Sequence, residues 1–421
     1  MDIFNQLESN VRGYCRSFPV VFTKAQNALL TDSEGNEYID FLGGAGTLNY
    51  GHNNPKFKQA LIDYIQADGM THGLDMYTNA KQAFLESFQQ RILEPRGMDY
   101  RMQFTGPTGT NAVEAALKIA RKNTGRHTIV SFTNGFHGVT QGSVAVTANQ
   151  KYKESVGMPL PGVQFMPYDG YLGDFDTLNY FEKALQDKSS GLGHPAGVIV
   201  ECIQGEGGLN VASKEWMQRL QEICKRYDMV LIVDDIQAGC GRSGTFFSFE
   251  EFGIEPDVIT LSKSLGGYGL PMAVVLLKEE LDSWKPGEHN GTFRGNNHAF
   301  ITARQALEHY WADDSFAKEI QEKARFLKSQ LKRIQAAHGG QMKHKGRGIM
   351  QGLEFLDGDT AERVTQLAFE RNLIIETSGS EGQVVKVLCP LTIPMTELAQ
   401  GLNILDECIG DVMAEQISKA S

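Results

Sequence analysis

Met229-Val230-Leu231-Ile232-Val233-Asp234-Asp235-Ile236-Gln237 is a short apolar run, β-branched at several positions, that ends in two carboxylates and an amide. A run of this length bounded by polar residues predicts a buried strand of a parallel sheet. Ligands of open α/β sheets sit beyond the carboxyl ends of the strands, which places Asp234 and Gln237 for chemistry. A second such run, Asp257-Val258-Ile259-Thr260-Leu261-Ser262, leads into Lys263 and then Ser264-Leu265-Gly266-Gly267. Neighbouring strands would deliver an acid and an amine to one mouth.

Outward from these runs, strands and helices alternate from about Tyr100, the signature of a doubly wound sheet. Strands are expected at Gln103–Thr105, Thr128–Phe132, Val198–Cys202 and Met272–Leu277, and helices at Asn111–Lys122 and Lys214–Tyr227. Ahead of them lie an introductory helix and short strands near Pro19–Phe22, Ala28–Thr31 and Glu37–Phe41. A Gly- and Asn-rich loop comes next at Gly43–Asn53, then helices at Pro55–Gln66 and Asn79–Leu93. After about His298, charged amphipathic helices cover 300–311 and 314–336. Strands near Met350–Phe355, Leu373–Glu376 and Val384–Leu388 and a closing helix at 395–414 complete a smaller α+β unit. The expected architecture is α/β, with a large, mostly parallel domain over residues 50–300. A smaller α+β domain is expected from 1–49 and 301–421.

The chain of 421 residues is long enough for two domains, and its net charge of −11 argues against nucleic-acid or anionic-membrane partners. Its six cysteines are scattered with no C-x-x-C pair, the usage of a reducing compartment. None of the ten histidines forms H-E-x-x-H, so no metal site is expected. The polar, acid-bearing N-terminus differs from a signal peptide, and no apolar run approaches membrane-spanning length. A cytoplasmic protein is expected.

Several strand ends converge on one kind of ligand. Lys263 can form an imine with an aldehyde if burial or nearby positive charge lowers its pKa. Asp234 can hold a protonated ring nitrogen. Gly109 and Thr110, at a helix N-terminus after a Gly-rich turn, offer N–H groups and a hydroxyl to a phosphate. Phe136 can stack on an aromatic ring, and Gln237 can donate to a phenolate oxygen. Aldehyde, pyridinium, phosphate and phenolate together describe pyridoxal 5'-phosphate. Each residue alone has a plainer use, as surface charge, cap or core; their co-occurrence in an order that one sheet would gather is what points to the cofactor.

The run Asp234-Asp235-Ile236-Gln237-Ala238-Gly239-Cys240-Gly241-Arg242-Ser243-Gly244 resembles the D-E-V-Q-x-G-x-G-R-x-G block of the class III (subgroup III) aminotransferases. Thr260-Leu261-Ser262-Lys263-Ser264-Leu265-Gly266-Gly267 resembles that family's cofactor-lysine block, 29 residues from Asp234 to Lys263. The resemblance covers nearly the whole chain and implies the fold-type I architecture of pyridoxal-phosphate enzymes. It implies that Asp234 binds the pyridine nitrogen, Gln237 the ring oxygen, and that Lys263 is both attachment point and proton carrier. Gly109 and Thr110 match the phosphate loop, and Phe136-His137-Gly138 the ring-stacking motif. Gly291-Thr292-Phe293-Arg294-Gly295-Asn296 resembles the segment that supplies a phosphate-binding threonine to a neighbouring subunit, which implies at least a homodimer with shared sites.

Glu206 matches a glutamate that, in related ω-aminotransferases, masks or releases a carboxylate-binding arginine. Lys386 stands where that arginine is expected, a point charge in place of a bidentate fork. Within the family, segments such as Tyr14-Cys15-Arg16-Ser17-Phe18-Pro19 and Gly44-Ala45-Gly46-Thr47-Leu48-Asn49-Tyr50 resemble members of ectoine biosynthesis. These aminate L-aspartate 4-semialdehyde with L-glutamate, so small amino acids and keto or aldehyde acids are the expected partners. Ala45 and Gly46 join Glu206 and Lys386 on the expected substrate side. Ornithine, acetylornithine and 4-aminobutyrate are alternative donors. Gly239-Cys240-Gly241-Arg242-Ser243-Gly244 also fits the G-x-G-x-x-G of a nicotinamide oxidoreductase, which would require a helix immediately after it.

Overall fold

The computed structural model describes residues 2–420. Its centre is a seven-stranded sheet of β1 (Arg101–Phe104), β2 (Ile129–Phe132), β3 (Val163–Met166), β4 (Gly197–Val200), β5 (Val230–Asp234), β6 (Val258–Leu261) and β7 (Val274–Leu277). The spatial order is β1-β7-β6-β5-β4-β2-β3. Only β7 runs against its neighbours, β6 and β1. Every residue of β5 is buried, because helices cover both faces and the strand can be apolar without alternation.

One covering helix, α1 (Gly109–Thr124), presses Ala112, Ala115, Ala116, Ile119 and Ala120 toward the sheet. Small side chains let it approach closely, and Gly125 ends it in the left-handed conformation at φ 66°. The helix α2 (Lys214–Arg226) starts where Ser213 accepts the Trp216 N–H. It buries Trp216, Met217, Leu220, Ile223 and Cys224, one helical face, ahead of β5.

The N-terminal hairpins and the C-terminal third share a sheet. Phe22–Gln26, Leu29–Asp32 and Glu37–Asp40 are joined by Leu373–Ile374, which pairs parallel to Glu37–Asp40. A second four-stranded sheet orders Lys343–Arg347, Met350–Glu354, Val384–Val387 and Glu376–Ser378. Ile203–Gln204 and Asn210–Val211 form a small ribbon whose turn carries Glu206.

Local differences from expectation have physical causes. The first strand starts at Phe22, beyond Pro19, because a hairpin reversing at Asn27 (φ 49°) pairs Gln26 with Leu29. The helix from Asn79 gives way after Phe88 to a π-helical turn and then a short 3-10 turn at Glu94–Arg96 around Pro95. The Gly43–Gly46 segment coils into a left-handed turn with φ of 53°, 59°, 56° and 82°, three of its four residues being glycine. The closing helix is longer than expected, Met395–Ala420. Among the described residues, no helix is long and apolar enough to cross a membrane, and no cluster of His, Cys, Asp and Glu could hold a metal.

Candidate active site

Parallel pairing of β5 with β6 aligns Asp234 with Thr260, three residues before Lys263. The acid and the amine therefore leave adjacent strands at the same edge. Both line one cavity of about 190 Å³, together with Gly109, Thr110, Phe136, His137, Glu206 and Gln237. The sheet thus gathers in one place side chains spread over more than a third of the chain.

The backbone of Lys263 sits at φ 47°, a left-handed conformation that costs a non-glycine residue about 1–3 kcal/mol. Packing of the next turn, where Ser264 Oγ donates to Gly46 O at 2.7 Å, holds it there. Burial lowers the Lys263 pKa, and the Lys386 charge adds to that effect against the pull of Glu206. A lowered pKa gives the free amine a larger population at neutral pH, as an attacking nitrogen requires.

Asp234 is fixed on three sides. His137 Nδ1 lies 2.7 Å from its Oδ2, while Thr260 Oγ1 and the Ile236 N–H donate to Oδ1 at 3.1 and 3.2 Å. Burial opposes a charge on His137, but its hydrogen bond to Asp234 and the charges of Asp234 and Glu201 prevail and raise its pKa. His137 thus pairs with Asp234 inside the buried site. Phe136 lines the cavity and meets Tyr152 edge-on at 5.2 Å.

At the other end, Gly109 opens α1, so the helix N-terminus faces the cavity. Thr110 Oγ1 lies 2.6 Å from Thr140 Oγ1 and 2.8 Å from Ser143 Oγ. A Cβ on Gly138 (φ 114°) would fall 2.7 Å from Thr110 Oγ1, so only glycine fits there.

Charges stand behind the wall at Glu206; Lys386, Glu376, Ala45 and Gly46 do not themselves line the cavity. Lys386 is fully buried and its Nζ lies 2.9 Å from Glu206 Oε1 and 3.1 Å from Glu376 Oε1. Burial disfavours the ammonium, yet these two carboxylates raise its pKa. Burial also opposes charge on Glu206, but Lys386 and then Lys263 pull its pKa below the usual range. Gln237 donates through Nε2 to Ala45 O and to Glu206 Oε1, both at 3.1 Å, leaving its buried Oε1 without a partner. Ala45 and Gly46 thus touch the site through their carbonyls. Thr292 does not line its own chain's cavity and lies exposed on its loop.

Two carboxyls escaped the sequence reasoning. Glu201, just past β4, accepts from the Phe136 N–H at 2.9 Å and the Gly205 N–H at 3.3 Å. Burial pushes its pKa up to about 7. It lies inside the strand expected at Val198–Cys202, where a carboxylate in an apolar run was the available signal. Glu376 is the last residue of the strand expected at Leu373–Glu376. The G-x-G-x-x-G segment leads into turns and only a short 3-10 helix, Glu250–Phe252, so the nicotinamide fingerprint lacks its helix.

Residues 12–409 match the family model described as aminotransferase class-III. The chain belongs to the class III aminotransferases. A diaminobutyrate–2-oxoglutarate transaminase of Halomonas elongata is 60% identical over 96% of this chain and 97% of the relative. One of Vibrio parahaemolyticus is 56% identical over the full length of both. Among solved structures, an ornithine aminotransferase of Toxoplasma gondii, with partial occupancy of PLP at its active site, superposes with a TM-score of 0.84. It is 27% identical and covers 98% of this chain and 94% of its own. These likenesses accord with the α/β fold of pyridoxal-phosphate aminotransferases. The cofactor of class III aminotransferases, pyridoxal 5'-phosphate, fits the residues present: a low-pKa lysine, a fixed carboxylate, an aromatic wall and a glycine-lined helix N-terminus surround one cavity.

Proposed function

We infer that this chain transfers the amino group of L-glutamate to the aldehyde carbon of L-aspartate 4-semialdehyde, giving 2-oxoglutarate and L-2,4-diaminobutyrate in two half-reactions on one site. The observation that carries this is the full-length identity of 55–60% to diaminobutyrate–2-oxoglutarate transaminases, on a chain that keeps Lys263 and Asp234 at one cavity. The cofactor, when bound, supplies an aldehyde carbon to carry the amino group and a ring that accepts electron density.

The chain's own residues do the rest. Lys263 would be the attachment point of the cofactor and, as a free amine, would move the proton at the amino-bearing carbon. Asp234, hydrogen-bonded to His137, would accept from a protonated ring nitrogen. Phe136 would cover one face of the ring. Gly109, Thr110 and the α1 N-terminus would hold the phosphate. Gln237 would donate to the ring oxygen only after releasing one of the two N–H contacts it makes here to Ala45 O and Glu206 Oε1. Glu206 and Lys386 handle substrate carboxylates. While paired they present no free cation, which suits diaminobutyrate; when Glu206 turns away, Lys386 receives a carboxylate of glutamate. Thr292 serves the phosphate of a neighbouring subunit, so the working form is at least a homodimer, and the enzyme is cytoplasmic.

Single-turnover measurement tests this function. Enzyme loaded with cofactor is mixed separately with glutamate, diaminobutyrate, ornithine and 4-aminobutyrate, and the loss of the cofactor's visible absorbance is monitored. Glutamate and diaminobutyrate are expected to discharge it fastest. Faster discharge by ornithine or 4-aminobutyrate would replace the assigned donor.

A further inference from the structure

Three charged side chains meet beside the cavity, and they are held differently. Glu376 and Lys386 stand directly opposite one another on antiparallel strands, Glu376–Ser378 against Val384–Val387. Facing positions on paired strands are fixed in distance by the sheet itself. Glu206 comes from a separate ribbon and reaches Lys386 from across the cavity wall. The side chain of Glu206 is 26% exposed, against 11% for Glu376 and none for Lys386. Glu206 also lines both the 190 Å³ cavity and an adjoining one of about 550 Å³. It is the member of the three with room to leave.

Lys386 cannot be left alone. A buried ammonium whose single partner withdraws is an uncompensated charge in a dry site. A lysine is also a point charge on a flexible four-carbon stem, so its head follows whatever anion remains, unlike the rigid fork of an arginine. Were Glu206 the sole partner, moving it outward would draw the ammonium along and leave nothing at the carboxylate-receiving position. The contact with Glu376, at 3.1 Å, is slightly longer than the 2.9 Å contact with Glu206, so Glu376 is the second anion that can hold the ammonium when the first withdraws.

The geometry points to Glu376 as a positioning residue that keeps Lys386 in place and compensated while Glu206 is away, so that the lysine can receive the carboxylate of the amino donor. This rests on the function proposed above, in which Glu206 gives way to glutamate and stays paired for diaminobutyrate. Glu376 touches neither substrate nor reacting atoms; it acts through Lys386.

The test measures the two half-reactions separately on cofactor-loaded wild type, Glu376→Leu and Glu376→Gln. Leu removes both the charge and the acceptor, whereas Gln keeps the shape and one acceptor oxygen. Glu376→Leu is expected to lower the specificity constant for glutamate tenfold or more while changing that for diaminobutyrate less than twofold. Glu376→Gln is expected to recover part of the glutamate loss. Unchanged cofactor uptake and visible absorbance in both variants separate this effect from misfolding. Equal losses with both donors, or no loss with glutamate in Glu376→Leu, would overturn the role of Glu376 while leaving the transaminase function standing. A wild type that reacts with neither donor would overturn that function, and the role of Glu376 with it.

Discussion

The two ends of the cavity are built on opposite plans. At the lysine end, Asp234 and Lys263 leave adjacent buried strands, and Asp234 has three short, fixed partners. At the carboxylate end, Glu206, Lys386 and Glu376 share charge among elements of different sheets, and one of them is partly exposed. On the function proposed, chemistry that is the same in both half-reactions belongs to the rigid end, and recognition that changes between two substrates to the end where partners can be exchanged.

That contrast is broken most severely at the rigid end. Lys263→Ala removes the residue proposed as both attachment point and proton carrier, and turnover should fall at least about 10⁴-fold, the upper range for one positioned proton carrier. Steady-state rates with glutamate and aspartate semialdehyde check it, and both half-reactions should suffer alike. Asp234→Asn keeps the shape and removes the carboxylate proposed to face the ring nitrogen. It should cost roughly 10²–10³-fold in turnover, a loss on the scale of one electrostatic stabiliser. Pre-steady-state rates should again fall equally for both donors. A donor-selective loss in either variant would erase the distinction between the two ends.

The smallest effect concerns Glu201, whose two hydrogen bonds tie the Phe136 loop to the Gly205 turn beside Glu206. Burial raises this carboxyl from its usual 4.5 to about 7 in the folded chain. Between these values the folded state binds the proton and the unfolded chain does not. Stability from this group is therefore complete below about pH 4.5 and lost as pH rises through 7. Glu201→Gln should flatten the fall in Tm between pH 5 and 8, a difference on the order of 1–3 kcal/mol across the window. Thermal unfolding of the cofactor-loaded enzyme at a series of pH values checks it. An unaltered slope would show that Glu201 is ionised throughout.

The rigid end was legible in the sequence for the reason that makes it rigid. Val230–Asp234 and Val258–Leu261 are buried on both faces, so they stand out as apolar runs, and the residues at their carboxyl ends lie at the sheet's edge. Gly109 and Thr110 were legible because a helix start after a Gly-rich turn has local chemistry. The exchangeable end was less so. That Lys386 faces Glu376 depends on the register between Glu376–Ser378 and Val384–Val387, and neither short strand carries a signature of that pairing. The hydrogen bond between His137 and Asp234 spans 97 residues, and the family resemblance implied only that His137 belongs to a ring-stacking motif. The left-handed turn at Gly43–Gly46 was expected as loop because glycine permits many conformations and selects none.

Everything turns on which amine holds the cofactor. Borohydride reduction of the cofactor-loaded enzyme, then proteolysis and mass spectrometry of the labelled peptide, answers that directly. One pyridoxyl-phosphate adduct per chain is predicted, on Lys263, with loss of the visible absorbance and of activity. An adduct on Lys386 or any other lysine, or loss of activity with no adduct at all, would contradict that assignment.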